Sequence, residues 1–150
     1  DFAVKALRDA GFERYEVSNF ARNGKFSLHN YKYWTGADYY GFGAAAHSKI
    51  GKTRRENPSD TLAYINGIDV KEYGLSPSDE RTEYIMLSLR TANGLNYERY
   101  FALTGNDIRR EKAKEIAELI KFGVVEDDGE NLRATGKGFY LLDSIITELM

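Results

Sequence analysis

Apolar residues along this chain recur at two periods. Ala3, Val4, Leu7 and Ala10 return at helical spacing, so residues 1–10 are expected to form a helix, capped by Asp1 and ended by Gly11. Phe12 to Val17 then reads as a strand with Tyr15 and Val17 on one face. A helix, a turn and a strand make an α/β unit, which cannot bury both faces of a sheet alone and so implies more strands. Residues 18–28 (SNFARNGKFSL) are loop-like, with an Asn-Gly turn at 23–24. Long loops after strands are where α/β folds place ligands. Residues 38–46 read as a second strand opening into a glycine-rich turn. Lys49 to Asn57 is basic and polar, a hairpin or an exposed strand. Ser59 or Asp60 is expected to cap a short helix over 60–67, with Leu62, Ile65 and Tyr64 as candidates for its inward face.

A boundary falls near Gly74–Pro77. Ser76-Pro77-Ser78-Asp79 combines an N-cap serine, proline at the first helical position and an acid in the first turn. The helix it starts runs to about Arg90, with Ile85, Met86 and Leu89 apolar. Gly94-Leu95 is a turn and Tyr97–Leu103 a short helix ended by Gly105. Asn106 or Asp107 caps a helix reaching Phe122, striped by Ile108, Ala113, Ile116, Ala117 and Ile120 and closed by Gly123. Val124-Val125-Glu126, then DDGEN, then Leu132-Arg133-Ala134 reads as a β-hairpin. Thr135 caps a last helix with Phe139, Leu142, Ile145, Ile146 and Leu149. Three helices, a hairpin and a helix form the winged-helix pattern. The expected fold is therefore α+β: an α/β portion over 1–75 and a winged-helix-like domain over 76–150.

Composition narrows the function. The chain has 150 residues, is 42% hydrophobic and carries a net charge of −2, which gives no global attraction to nucleic acid or anionic membrane. No apolar run approaches the ~20 residues that span a bilayer, and no signal-peptide pattern is present. Cysteine is absent, which excludes disulfides, thiolate metal sites and iron–sulfur clusters held by this chain and fits a cytoplasmic setting. The chain opens on Asp1 with a helical pattern at once, so it is expected to be a fragment of a longer protein. A winged helix that reads DNA needs a basic face. From Glu80 to Met150 there are 10 Lys+Arg against 13 Asp+Glu, a net of −3, and the wing tip Glu126-Asp127-Asp128-Gly129-Glu130 is acidic. Nucleic acid is not the expected partner.

Residues 29–48 (HNYKYWTGADYYGFGAAAHS) hold both histidines, the only tryptophan and four of the eleven tyrosines. Gly41-Phe42-Gly43-Ala44-Ala45-Ala46 matches the loose dinucleotide pattern, but His47-Ser48-Lys49-Ile50-Gly51 has no helical stripe to follow it, so a nucleotide fingerprint is rejected. Small residues at 43–46 still imply that a neighbouring strand or a ligand approaches the backbone. His47 and Ser48 are adjacent on a strand, point to opposite faces and make a poor nucleophile pair; no acid is evidently placed to orient His47, which reads as a hydrogen-bonded structural histidine. Thr135-Gly136-Lys137-Gly138 is a helix start, not a phosphate loop. His29-Asn30-Tyr31-Lys32-Tyr33-Trp34 has two readings: an imidazole that ligates iron with aromatics flanking a flat macrocycle, or a surface histidine beside core aromatics.

YEVSNFA (15–21), HNYKYW (29–34) and YYGFGAAAHS (39–48), in this order, resemble the C-terminal part of radical-SAM proteins of the oxygen-independent coproporphyrinogen III oxidase family. The H-N-x-x-Y-W element is closer to the family's haem-chaperone branch. The resemblance covers nearly the whole chain. It implies the last strands and helices of a partial (β/α) barrel over 1–75, followed by the winged-helix-like domain over 76–150. It implies a [4Fe–4S] cluster and S-adenosylmethionine in the full-length parent, held through a Cys-x-x-x-Cys-x-x-Cys motif that this chain lacks, so no radical chemistry is expected of these residues alone. By the same resemblance His29 is the candidate haem-iron ligand, with Asn30, Tyr33 and Trp34 shaping its surroundings. Gly41, Gly43 and Ala45 are expected near the barrel mouth, where the family binds S-adenosylmethionine or tetrapyrrole. Lys52, Arg54 and Arg55 either meet propionates or form a solvated basic strand. The expected function is haem binding and delivery to haem-accepting proteins. The alternative is oxidative decarboxylation of coproporphyrinogen III. A barrel cut through its sheet leaves an edge strand, so pairing between copies or some cover over that edge is also expected.

Overall fold

The structure is a computed structural model and describes residues 2–150. It is a mixed α+β fold of eight α-helices and three small antiparallel sheets among the described residues. Helix α1 (Phe2–Asp9) ends at Gly11, whose φ of +76° takes the chain out of the helix; the cap assigned to Asp1 lies outside the described residues. The strand expected over 12–17 is only β1 (Glu13–Arg14), paired antiparallel with β2 (Phe20–Ala21). Beyond Arg14 the backbone leaves this ladder for the second half: Val17 N donates to Arg90 O, Ala92 N donates to Tyr15 O, and Glu16 bridges Thr91. The Asn-Gly turn is present, with Asn23 and Gly24 both at positive φ.

Helix α2 (Leu28–Trp34) carries the aromatic stretch. The strand expected over 38–46 is instead a single bridge at Tyr39, and the pairing starts at β3 (His47–Ile50). It cannot start sooner, because the 41–46 segment folds back on itself. A hairpin turn at Gly51 leads to β4 (Thr53–Glu56). Helix α3 (Thr61–Ile65) is capped by Asp60, whose side chain accepts from Ala63 N. Leu62 and Ile65 are exposed rather than inward, and Tyr64 is the residue that turns in. Strand β5 (Lys71–Gly74) completes the sheet in the order β3-β4-β5. All four of its residues are exposed, so no alternation marked it in the sequence.

Helix α4 (Pro77–Ser88) begins with the expected capping box: Ser76 Oγ accepts from Asp79 N, and Asp79 accepts from Ser76 N. The hydrogen bonds from Ser76 hold the Asp79 carboxyl below its usual range. Leu95–Asn96, read as part of a turn, is strand β6 and pairs with the far strand of the hairpin. Helix α5 (Tyr97–Thr104) ends at Gly105, at φ +74°. The helix expected over 107–122 is two: α6 (Ile108–Glu111) and α7 (Ala113–Lys121). They break at Lys112, whose backbone is non-helical and whose Nζ donates to Glu148 O at the end of the last helix. The hairpin is β7 (Val125–Asp127) and β8 (Asn131–Ala134), in the sheet order β6-β8-β7. Thr135 caps a 3-10 turn (Gly138–Tyr140), accepting from Gly138 N, and α8 (Leu142–Leu149) starts only after it.

The core lies in the second half. Ile85, Leu89, Leu95, Tyr100, Ile108, Leu132, Ile145 and Leu149 are buried in one cluster. The first half buries little: among its described residues, Tyr15, Glu16, Ala21 and Ser48. It holds its shape by leaning on the helical half. Arg54 pairs with Glu83 and Lys52 with Glu80 on α4, and the Arg14 guanidinium sits over the rings of Phe139 and Tyr140.

Candidate functional site around helix α2

Seven residues make two turns, too short to be stable as an isolated helix. α2 has no buried residue and no side-chain cap at Ser27. It is set in place by its neighbours. Tyr31 packs on Tyr15 and Phe26, which stack at 4.6 Å, and its hydroxyl accepts from Asn93 Nδ2 at 3.0 Å. At the C-terminal end two cations take the carbonyls of the cap and of the residue after it: Arg99 Nη2 donates to Thr35 O at 2.8 Å and Lys49 Nζ to Gly36 O at 3.0 Å.

His29 lies near the other, open end and is exposed. Its Nε2 meets the Tyr33 hydroxyl at 3.2 Å, one turn along, with the two rings edge to face. Nδ1 has no partner among the described residues. Tyr33 in turn packs edge-on against Tyr39 at 4.7 Å between centroids. Tyr39 OH accepts from Arg54 Nη1 at 2.8 Å, and Arg54 donates from Nε and Nη2 to Glu83 Oε1 at 3.0 and 2.6 Å. Burial opposes the Arg54 charge, but Glu83 and Tyr39 outweigh it and hold the guanidinium pKa above its ordinary value. His29, Tyr33, Tyr39, Arg54 and Glu83 thus form a continuous series from α2 into α4.

Trp34 is half-buried, with its indole Nε1 buried and without a partner among the described residues. It walls two cavities, of about 330 and 410 Å³, between α2 and the helical half. Thr35, Tyr84 and Arg99 are the other walls the two share. Asn30 is half-buried on α2.

The Gly41–Ala45 turn is tied up by its own neighbourhood. Gly41 N donates to Ser48 Oγ, Gly43 N to Tyr64 OH and Ala45 N to Pro58 O, while Asn57 Nδ2 donates to the Gly43 carbonyl. A Cβ at Gly41 would stand 2.1 Å from His47 O, so β3 comes close at Gly41, whereas at Gly43, inside the 43–46 stretch where an approach was expected, a Cβ would meet nothing within 4 Å. Strand β3, not a helix, follows the glycines, as the rejected nucleotide fingerprint required. His47 is exposed and Ser48 buried, on opposite faces. His47 does have an acid: Glu56, opposite it on β4, lies 3.7 Å from Nδ1. Lys52 and Arg54 are held by Glu80 and Glu83, leaving Arg55 exposed on the other face of β4.

The partners missed in the sequence are Tyr39, Asn93, Tyr84 and Arg99. Asn93, Tyr84 and Arg99 lie far along the chain from α2, and Tyr39, although within the 29–48 stretch, carries no local pattern that pairs its ring with Tyr33. At the acidic tip of the β7–β8 hairpin, Asp128 accepts from the backbone of Asn131 and Glu130 and pairs with Arg133; the backbone hydrogen bonds hold its carboxyl below the usual range. No helix among the described residues is long and apolar enough to cross a membrane.

Residues 75–141 match the family model of the HemN C-terminal domain. The mouse protein "Radical S-adenosyl methionine domain-containing protein 1, mitochondrial" is 35% identical over 96% of this chain, and the match spans 36% of the mouse protein. The "Heme chaperone HemW" of Bacillus subtilis is 31% identical over 92% of this chain and 38% of its own length. The solved structure of coproporphyrinogen III oxidase (HemN) from Escherichia coli, a radical-SAM enzyme, superposes over 99% of this chain and 39% of its own, with a TM-score of 0.72 at 19% identity. The chain therefore spans well under half the length of these relatives, and the likeness to the solved enzyme is one of fold. Residues 75–141 are a HemN C-terminal domain, and along nearly its whole length the chain is similar to the C-terminal part of radical-SAM proteins of the HemN family.

Proposed function

We propose that this chain serves haem binding and delivery, with His29 as the axial ligand of the iron. One observation carries the reading: an exposed imidazole at the open end of α2, with Nε2 engaged by Tyr33 and Nδ1 unpartnered. The tautomer protonated at Nε2 donates to the phenol and leaves the Nδ1 lone pair free for a metal; the opposite tautomer leaves none. The Tyr33 hydroxyl, which both donates and accepts, serves either tautomer, and the Nε2-protonated one is the ligating form. An imidazole beside the ring of Tyr33, which packs on Tyr39, is a donor that suits haem iron. Haem, when bound, supplies the iron and the flat macrocycle that form the cargo. Asn30 and Trp34 shape the flanks of α2, and the turn at Gly41, Gly43 and Ala45 forms the rim beyond Tyr39.

No thiolate exists in this chain, so its residues do not fit a [4Fe–4S] cluster, and no step through S-adenosylmethionine is assigned to them. In this proposal those groups belong to the rest of a radical-SAM protein like its longer relatives. Residues 1–75 would close the end of a partial barrel, and residues 76–150 would form the winged-helix-like domain beside it. The setting is cytoplasmic, and the partners are a tetrapyrrole, a haem-accepting protein and a second copy meeting at an exposed edge such as β5. The alternative, oxidative decarboxylation of coproporphyrinogen III, is favoured by the fold shared with the Escherichia coli oxidase. Lys52 and Arg54 are engaged by glutamates, and because both tetrapyrroles carry propionates this does not separate the two readings.

Haemin titration followed by absorbance tests the reading. The wild-type protein should shift the Soret band, and His29→Ala should lose the shift. A shift that survives in His29→Ala, or none in the wild type, overturns the assignment.

A further inference from the structure

The joint between α2 and the helical half is a strut with a void on either side. Arg99 and Tyr84 from one side and Trp34 and Thr35 from the other are walls common to both cavities. What crosses between them is the hydrogen bond from Arg99 Nη2 to Thr35 O. Asn93 to Tyr31 is a second tie farther along the helix.

The Arg99 end of this strut is rigid. Its guanidinium lies over the Tyr84 ring, 5.4 Å from the centroid. Tyr84 OH donates to Asn96 O and accepts from Asn96 N, and burial pushes its phenol pKa up. Asn96 caps α5, its side chain accepting from Arg99 N itself. The α2 end is soft: two turns, nothing buried, no N-terminal side-chain cap. Thr35 is the C-cap, and its N–H and that of Gly36 close the last turn on Tyr31 O and Tyr33 O. A cation on Thr35 O fixes one of the two residues that close that turn, Lys49 holding the other at Gly36 O, and Tyr33 in that turn holds His29.

We propose that Arg99 is a positioning residue for the His29 helix, through which the HemN C-terminal domain sets the stance of α2. Its consequence for haem rests on the function proposed above; its consequence for α2 does not. Arg99→Met keeps an unbranched aliphatic side chain and removes the charge, the donor and with them the guanidinium over Tyr84. Arg99→Lys keeps the charge and a donor. Amide hydrogen exchange on the haem-free protein is expected to be faster in Arg99→Met at Thr35, Gly36 and Ala37, by about tenfold, the factor that one ordinary hydrogen bond allows. Amides of α8 should exchange as in the wild type, and Arg99→Lys should restore most of the protection in α2. Unchanged protection of α2 in Arg99→Met overturns the proposal, as does loosening that spreads equally to α8.

Haemin titration of the same variants gives the second readout. Arg99→Met should bind about tenfold more weakly, in the range for partners that orient a ligating histidine, while keeping the imidazole-ligated spectrum. A loosened α2 with unchanged haemin affinity overturns the link from Arg99 to the site. Absence of haemin binding in the wild type overturns the haem reading instead, and the exchange data still decide the positioning role.

Discussion

Ile85→Ala is expected to destabilise the protein by about 3–4 kcal/mol, in the upper part of the range for truncating a buried aliphatic residue. Ile85 is fully buried at the middle of the core, on the helix that packs against α2, α5, α8 and β6. Removing its outer carbons forfeits their transfer free energy and leaves a void between elements that cannot all close on it. A domain of this size has only about 5–15 kcal/mol in total. Thermal unfolding followed by circular dichroism should show the midpoint falling by roughly 10 °C, at about 2–4 °C per kcal/mol. Ile85→Val, which removes one carbon, should cost about 1 kcal/mol. The effect reaches the candidate site, because Glu83, Asn93 and Arg99 are all presented to α2 and β4 by this core. An alanine variant that melts with the wild type would show that the core is not packed as described.

Gly94→Ala is expected to cost about 3 kcal/mol, by two separable causes. Gly94 has a φ of +71°, where a side chain costs roughly 1–2 kcal/mol. An added Cβ would also stand 2.3 Å from Leu132 O and 2.9 Å from Arg133 Cα, on the central strand of the three-stranded sheet. That contact is with backbone and adds an overpacking cost of about 1–3 kcal/mol. Gly105→Ala provides the control. Its φ is +74°, but nothing lies within 4 Å of its Cβ position, so only the conformational part applies. Urea unfolding of the two variants should therefore differ by about 1–3 kcal/mol, with Gly94→Ala the weaker. Equal losses would mean that β8 yields to the added methyl.

The helical half was legible in the sequence because its signals are local. Ser76 to Asp79 caps α4, Gly105 ends α5, and DDGEN joins two short apolar runs; each works within a few residues of itself. What was misread there also has a local cause that periodicity does not carry. The apolar stripe from Ile108 to Ile120 spans one helix on paper. Lys112 instead leaves helical geometry to reach Glu148 O, and Ile120 ends up exposed. Likewise, Gly138 meets the Val124 carbonyl too closely for any side chain, and the last helix waits until Leu142.

The first half was harder to read because its structure is held by residues distant in sequence. The strand expected over 12–17 stops at Arg14, since Tyr15 to Val17 bond to Arg90, Thr91 and Ala92. β5 has no buried face and therefore no pattern. At the candidate site, the family resemblance named His29 and Tyr33 together, and the helix that sets them four residues apart on one face was not read from the sequence. The supports of that pair from Tyr39, Arg54 and Arg99 arise from folding alone. Lys52 and Arg54 looked like propionate partners by charge, and became ties to α4 once Glu80 and Glu83 were placed opposite them.

The measurement that tests the central claim most directly is a resonance Raman spectrum of the haem-loaded protein labelled with ¹⁵N-histidine. The chain has two histidines, so the assignment is a choice between them. His47 has Glu56 beside Nδ1, whereas Nδ1 of His29 is open. An iron–imidazole band that moves on labelling, persists in His47→Ala and disappears in His29→Ala is the expected result. A band that persists in His29→Ala and disappears in His47→Ala would contradict it.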